Sequence, residues 1–486
     1  MFERALLAAL TATLVVGCAG TPDDVTKSYD DPAANTSKGS HRVDEAVDPN
    51  LPKPEFGPYD TRAITVPWAK SVGGGGDDYA NTMAVDSSGN SYVSGTFENT
   101  VAFGGSCGSV TATGTDDMFL AAFNASGSCS WVKTFGASSA TTGPLALAID
   151  SSNVYVTGAY SAATNFGAAT LTNAGGYDCF VASYTLSSGA SNWAKNCGAT
   201  SGDDIGNGIA VRSSKVVVAG ELGQNAQDAF IATYSSAGVA SWTKTLGSTG
   251  YDTGRAVTID SSGNVYFFGG FSGSVTFIAL PQTSNGGIDI FAEEYNSNGT
   301  SLASNTYGST SDDYAVTATV DSADKVIVSG VFHGSPSIFG TALTGNSNPC
   351  LFVGKVSVTL GAFFSTWTIG ITSTTEVYGS ALAIDGSNNV YVGGSFGGTS
   401  NFGGGNRVSV GGVDAIVAKF SSGSGAWVSD STFGSTGDEE ATGLGYYSGG
   451  SSLIATGYFH GSVTIGSTTL TSNGNADVDL YSLSGM

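Results

Sequence analysis

Apolar residues come along this chain in short runs, broken every four to eight positions by Gly, Ser, Asn or Asp. Beyond the first twenty residues no stretch holds a 3.6-residue apolar period, so the pattern predicts strands and tight turns with no long helix. The runs repeat. An apolar segment closing on glycine recurs as Tyr92-Val93-Ser94-Gly95, Tyr155-Val156-Thr157-Gly158, Val217-Val218-Ala219-Gly220 and Tyr266-Phe267-Phe268-Gly269. It returns as Ile327-Val328-Ser329-Gly330, Tyr391-Val392-Gly393-Gly394 and Leu453-Ile454-Ala455-Thr456-Gly457. Taking the glycines at 95, 158, 220, 269, 330, 393 and 457, the spacings are 63, 62, 49, 61, 63 and 64 residues. Seven units of about sixty residues suit a β-propeller of four-stranded blades.

Each unit divides into four strand signals. The first is typified by Met83-Ala84-Val85-Asp86, followed by a Ser-Ser-Gly-Asn turn and the glycine-ended second strand. The third is led by an aspartate, as in Asp117-Met118-Phe119-Leu120, and is apolar at consecutive positions, as expected where neighbouring blades cover both faces. The fourth reads W-x-K-x-x-G at Trp68–Gly73, Trp131–Gly136, Trp193–Gly198 and Trp242–Gly247. Trp367 and Trp427 stand out of register with the next glycine, and the fourth unit has no tryptophan. The last unit reaches its third strand at Val478-Asp479-Leu480-Tyr481, while one fourth-strand motif, Trp68 to Gly73, precedes the first unit. Pairing the two completes the seventh blade and leaves no open edge in the ring. The fold class is therefore all-β: a seven-bladed propeller closed by an N-terminal strand that completes the last blade.

The Gly-ended second strand, the Asp-Ser-Ser-Gly-Asn turn and the Asp-led third strand resemble those of bacterial SBBP-repeat proteins, over about residues 64 to 486. That resemblance implies exported or envelope proteins of seven-bladed architecture, and it carries no catalytic motif to transfer.

The start of the chain has a different character. Arg4 precedes an apolar or small run from Ala5 to Gly17, thirteen residues long, which suits a signal-peptide core and is too short to span a bilayer as a helix. Val15-Val16-Gly17-Cys18 resembles a bacterial lipobox, which implies cleavage before Cys18 and lipidation of its thiol. Acyl chains there would tie the protein to a membrane, each buried CH₂ contributing about 0.8 kcal/mol. Ala19 after Cys18 resembles the outer-membrane sorting pattern, so the expected location is the cell envelope. Residues 19–62 hold six of the eleven prolines, acidic pairs and few large apolar side chains, the composition of an extended tether. The expected organisation is a signal peptide over 1–17, the lipidated cysteine and tether over 18–62, and the propeller over 63–486.

Charge narrows the partners. With 40 acidic and 17 basic side chains the net charge is −23, a field that repels nucleic acid. Of the six cysteines, Cys18 is assigned to the anchor. Cys179 opens a third strand and Cys197 ends the adjoining fourth, so the hairpin can set them opposite each other; Cys107 and Cys129 form a second candidate pair. Cys350 is left over, at the place where other units carry the third-strand Asp. Disulfides suit an oxidising envelope, with buried free thiols as the alternative.

Candidate chemistry lies in repeated carboxylates. Asp77, Asp78, Asp203, Asp204, Asp252, Asp312, Asp313, Glu376, Asp438 and Glu439 fall in the connections from each fourth strand to the next first strand. On one face of a propeller these would ring the channel mouth, where oxygen ligands suit a hard cation such as Ca²⁺ and the field suits a basic peptide or amine. The alternative is that they cap turn backbones, as Asp commonly does. Asp117, Asp178, Asp228, Asp289, Asp414 and Asp477 start the third strands, and Asp86, Asp150, Asp260, Asp321 and Asp385 head the first hairpins. Repetition in nearly every unit argues for a blade-level hydrogen-bonding role, because a functional site is more naturally asymmetric. Lys70, Lys133, Lys195 and Lys244 stand two residues after their tryptophans, on the same sheet face.

The three histidines, His41, His333 and His460, are far apart in sequence, and no H-E-x-x-H, G-x-S-x-G or phosphate-loop motif occurs. Gly73-Gly74-Gly75-Gly76 has no following helix to receive a phosphate. No cofactor motif is present. The sequence thus points to an envelope-tethered, non-catalytic binding or scaffold propeller for a protein, peptide or glycan. A polysaccharide hydrolase or lyase using carboxylates at the channel mouth, with or without Ca²⁺, is the alternative.

Overall fold

The computed structural model describes residues 64–486, apart from 139, 199–200, 224–226, 248–249 and 278–279. The signal peptide, Cys18 and the tether, assigned above to residues 1–62, lie outside the described residues.

Seven antiparallel four-stranded blades stand around an axis, each running first to fourth strand from the centre outwards. The first strands are Tyr79–Val85, Thr142–Ile149, Ile205–Arg212, Asp252–Ile259, Tyr314–Val320, Val377–Ile384 and Glu440–Tyr447. Blade seven takes its outer strand, Thr65–Gly74, from the start of the described chain, pairing it with Thr468–Ser484. Trp68 opposes Ser482, Lys70 opposes Leu480 and Val72 opposes Val478. The same strand runs on to pair Gly73 and Gly74 with Ala102 and Val101 of an outer hairpin in blade one. One N-terminal ribbon thus ties the last blade to the first.

The short third spacing, 49 residues from Gly220 to Gly269, has a simple cause. Six blades insert an outer hairpin between second and third strands, or extend those strands to form one, and blade one does so at Thr100–Gly104 and Gly108–Thr111. In blade three only five residues separate Lys215–Leu222 from Asp228–Ser235. The structure also shifts one glycine of the repeat. Gly394, not Gly393, faces Gly379 in the first strand as Gly95 faces Ala80, so the equivalent residue of blade six is Gly394.

The apolar core lies between blades. Tyr92 and Leu120 of blade one pack with Leu147, Val156 and Phe180 of blade two in one cluster, and similar clusters join the other neighbours. Third strands such as Asp117–Phe123 and Asp289–Tyr295 are buried at every position, because sheets cover both of their faces.

The tryptophans clasp one blade to the next. Trp131 Nε1 donates to Leu186 O at 3.1 Å, across the turn between third and fourth strands of blade two. Trp68, Trp193 and Trp242 do the same to Ala125 O, Ser236 O and Ser297 O at 3.0, 2.9 and 3.2 Å. Trp367, out of register by sequence, makes the equivalent bond to Ser422 O at 3.1 Å. Under each indole sits a turn glycine at positive φ; a Cβ on Gly189 would lie 2.6 Å from Trp131. The two exceptions are explained by the turn that receives the indole. Blade four has no tryptophan, and blade five closes with a tight turn at Leu360-Gly361. Trp427 of blade six faces blade seven, whose third and fourth strands come from opposite ends of the described chain and share no turn. Its Nε1 instead bonds Asp430 Oδ2 in its own strand, at 2.8 Å.

Candidate ligand site at the propeller axis

Every first strand is broken at the same place. The register with the second strand slips by one residue at Asn81, Leu145, Asn207, Arg255, Val316, Ser380 and Thr442, a β-bulge in each of the seven blades. A bulge bends its strand and re-aims the extra side chain. All seven bulged residues line one axial cavity of about 350 Å³, within the range of small-molecule sites.

The repeated glycine makes the bulge possible. Gly95, Gly158, Gly220, Gly269, Gly330, Gly394 and Gly457 lie against the first-strand carbonyl that precedes each bulge. A Cβ on any of them would come within 1.7 to 2.2 Å of that oxygen, so only glycine admits the approach. The glycine is invariant across the blades because it shapes the strand. The side chains delivered to the axis are of six types over seven blades, which makes the cavity asymmetric.

Asn81 and Asn207 are clasps as well as lining. Asn81 Nδ2 donates to Pro144 O at 2.8 Å and Asn207 Nδ2 to Gly254 O at 3.1 Å, each reaching the next blade. Their Oδ1 atoms are buried without a partner. The charged groups of the cavity wall are Arg255 and Glu440. The Arg255 guanidinium lies 5.2 Å from the Tyr314 ring centroid, and its Nε and Nη2 make no hydrogen bond. Close by, the buried Glu221 accepts the Tyr251 hydroxyl at 3.1 Å. Burial pushes the Glu221 carboxyl above its ordinary range against a smaller downward pull from Arg255. In the other charged part of the wall, Ser380 and Tyr458 donate their hydroxyls to Glu440, the latter at 3.3 Å. Burial pushes the Glu440 carboxyl up, and Glu376 adds to the rise.

The ten carboxylates of the connections are placed differently. None of them lines the axial cavity. Asp78, Asp204, Asp252, Asp313 and Glu439 are buried and tie backbone N–H groups together. Asp313 accepts Ser309 N at 2.6 Å and His333 N at 2.9 Å, and Asp78 accepts Gly74 N at 2.6 Å and Glu98 N at 3.2 Å. Asp204, Asp252 and Glu439 accept Gly223 N, Ser272 N and Ser435 N. Asp203, Asp312 and Asp438 accept Tyr177 N, Ile288 N and Val413 N, at the entries to third strands. Asp77 and Glu376 are half-buried beside them. Among the described residues no three His, Cys, Asp or Glu side chains gather in a way that could hold a metal ion.

The other repeated aspartates also serve the backbone. Asp117, Asp178, Asp289, Asp414 and Asp477 each accept the N–H four residues before them, for example Ala174 N to Asp178 at 2.6 Å. Asp86 accepts Ser88 N at 2.8 Å and Asn90 N at 2.9 Å while Tyr92 Oη donates to its other oxygen at 3.2 Å, and Asp150, Asp260 and Asp385 are held alike. Asp321 adds a buried ion pair with Lys355 at 2.7 Å. Lys70, Lys133, Lys195 and Lys244 are exposed on outer strands, where charge discourages edge pairing. Cys107 is joined to Cys129 and Cys179 to Cys197, with Cα separations of 5.9 and 5.1 Å, and Cys350 is a buried free thiol.

Sequence reasoning therefore found the repeated residues and passed over the cavity residues. A usable signal existed: the residue opposite the repeated glycine is followed at once by the bulged one.

Residues 68–96 match the SBBP beta-propeller repeat family. No curated protein matches the sequence. Among solved structures, a quinohemoprotein alcohol dehydrogenase from Comamonas testosteroni is similar at 10% identity and a TM-score of 0.40, over 87% of this chain and 77% of that one. The WD40 repeats of RRP9 are similar at 10% identity and a TM-score of 0.36, over 70% of this chain and 94% of that one. With seven four-stranded blades, each carrying the glycine-and-bulge device, the chain is a seven-bladed β-propeller whose closing strand and first hairpin match the SBBP repeat.

Proposed function

We propose that this protein is a binding propeller of the bacterial cell envelope, tethered through a lipid on Cys18, that takes a small polar ligand in its axial cavity. One observation carries the reading. Positions that repeat from blade to blade hold the frame together, and the seven bulged positions, which carry six different residue types, converge on one cavity of about 350 Å³. Eight of the ten carboxylates considered for a cation or a catalytic pair at the channel mouth are engaged with backbone N–H groups, namely Asp78, Asp203, Asp204, Asp252, Asp312, Asp313, Asp438 and Glu439. This engagement favours the axis over the mouth. The two disulfides suit the oxidising compartment that the lipobox resemblance implies.

The test fills the cavity from its apolar side. Leu145→Trp and Val316→Trp enlarge two bulged residues that make no polar contact there. Ligands that raise the melting temperature of the wild-type chain in a small-molecule thermal-shift panel should no longer do so in the double variant. Shifts that survive the filling, or a panel with no shifts at all, overturn the axial site.

A further inference from the structure

The cavity wall carries one fixed cation and one carboxyl group, Arg255 in blade four and Glu440 in blade seven. Two of the seven blades separate them in one direction and three in the other, so they stand across the axis from one another. Arg255 lies close to the buried Glu221 carboxyl, but its Nε and Nη2 have no hydrogen-bond partner, and a buried unsatisfied donor is costly. Its guanidinium lies over Tyr314, a packing that restricts where the group can turn. Glu440 is oriented from both oxygens by Ser380 and Tyr458. Asn81 and Asn207 add carbonyl oxygens that have no donor.

A simple anion placed here would meet Arg255 favourably and Glu440 unfavourably; a simple cation would meet the reverse. A ligand with both charges on one small frame satisfies the two walls at once. We propose that the axial cavity binds a small zwitterion of the α-amino acid class, its carboxylate on Arg255 and its ammonium on Glu440. The ammonium draws Glu440 into its ionised form, so binding releases a proton wherever the empty site holds Glu440 as the neutral acid. This inference rests on the axial site proposed above and names its ligand.

The test titrates the full chain by calorimetry with each of the twenty common α-amino acids. The tightest binder is then compared with its des-amino acid and its decarboxylated amine. Loss of either charged group should weaken binding about tenfold or more, the scale of a hydrogen bond to a charged partner. Arg255→Met should abolish the advantage of the amino acid over the amine, and Glu440→Gln, which keeps the side-chain shape and one of the two acceptor oxygens, its advantage over the des-amino acid. Arg255→Lys should restore part of the affinity, which separates charge recognition from packing on Tyr314. A des-amino acid that binds as tightly as its parent overturns the zwitterion. No amino-acid binding, alongside other ligands lost on filling the cavity, also overturns it and leaves the axial site standing. If no ligand of any kind responds to the filling, both readings fall.

Discussion

Trp68→Ala should open the ring at its closure, and the size of the effect follows from two contacts. Trp68 is half-buried against the turn of blade one, with Gly127 beneath its indole and Ala125 O accepting its Nε1 at 3.0 Å. Truncating a fully buried tryptophan costs about 3–5 kcal/mol; half of that packing is about 2 kcal/mol, and the hydrogen bond adds about 1. The total of about 3 kcal/mol is close to a hundredfold in an opening equilibrium. Where it appears depends on connectivity. The strand Thr65–Gly74 meets its blade only through pairing with Thr468–Ser484, so weakening it permits that strand to detach alone. Trp131 makes the same bond at 3.1 Å, from a strand joined by a short turn to the rest of its blade. Trp131→Ala should therefore lower global stability by a similar amount with no local opening. Hydrogen exchange read at Val478 to Ser482 distinguishes the two. About a hundredfold acceleration is expected in Trp68→Ala alone. Equal exchange in the two variants, or none in Trp68→Ala, refutes closure by a separable ribbon.

Two further outcomes follow from the frame. Burial pushes the carboxyls of Asp78, Asp289 and Glu293 up to about 7, and that of Asp479 up to about 8. The folded state therefore holds protons that the unfolded chain releases above about pH 4. The stability linked to these groups is fully present below that pH and is lost as pH rises through 7 to 8. The melting temperature should be higher at pH 5.5 than at pH 8.5, with a shallower fall in Asp479→Asn; a flat or rising profile contradicts the assignment. Gly220→Ala places a Cβ 2.0 Å from Ile205 O and should cost about 2 kcal/mol or more in urea unfolding. Gly75→Ala, with nothing within 4 Å of the new carbon, should stay within about 0.5 kcal/mol.

The sequence by itself determined the strand content, the number of blades and the closure, because these rest on local periodicity and on counting repeats. Trp68-Ala69-Lys70 at one end and Val478-Asp479-Leu480 at the other are complementary motifs, and their pairing could be read without coordinates. The roles of the repeated aspartates were legible in kind, since an Asp before a turn has few uses other than binding nearby N–H groups.

Only the tertiary structure decided which side chains line the axis. Asn81, Leu145, Asn207, Arg255, Val316, Ser380 and Thr442 are of six different residue types and stand far apart along the chain, so no linear pattern links them. They meet because seven bulges, each admitted by a glycine on the neighbouring strand, turn them towards one axis. The carboxylates that stood out in the sequence did so by repetition, and repetition belongs to the frame that every blade must build.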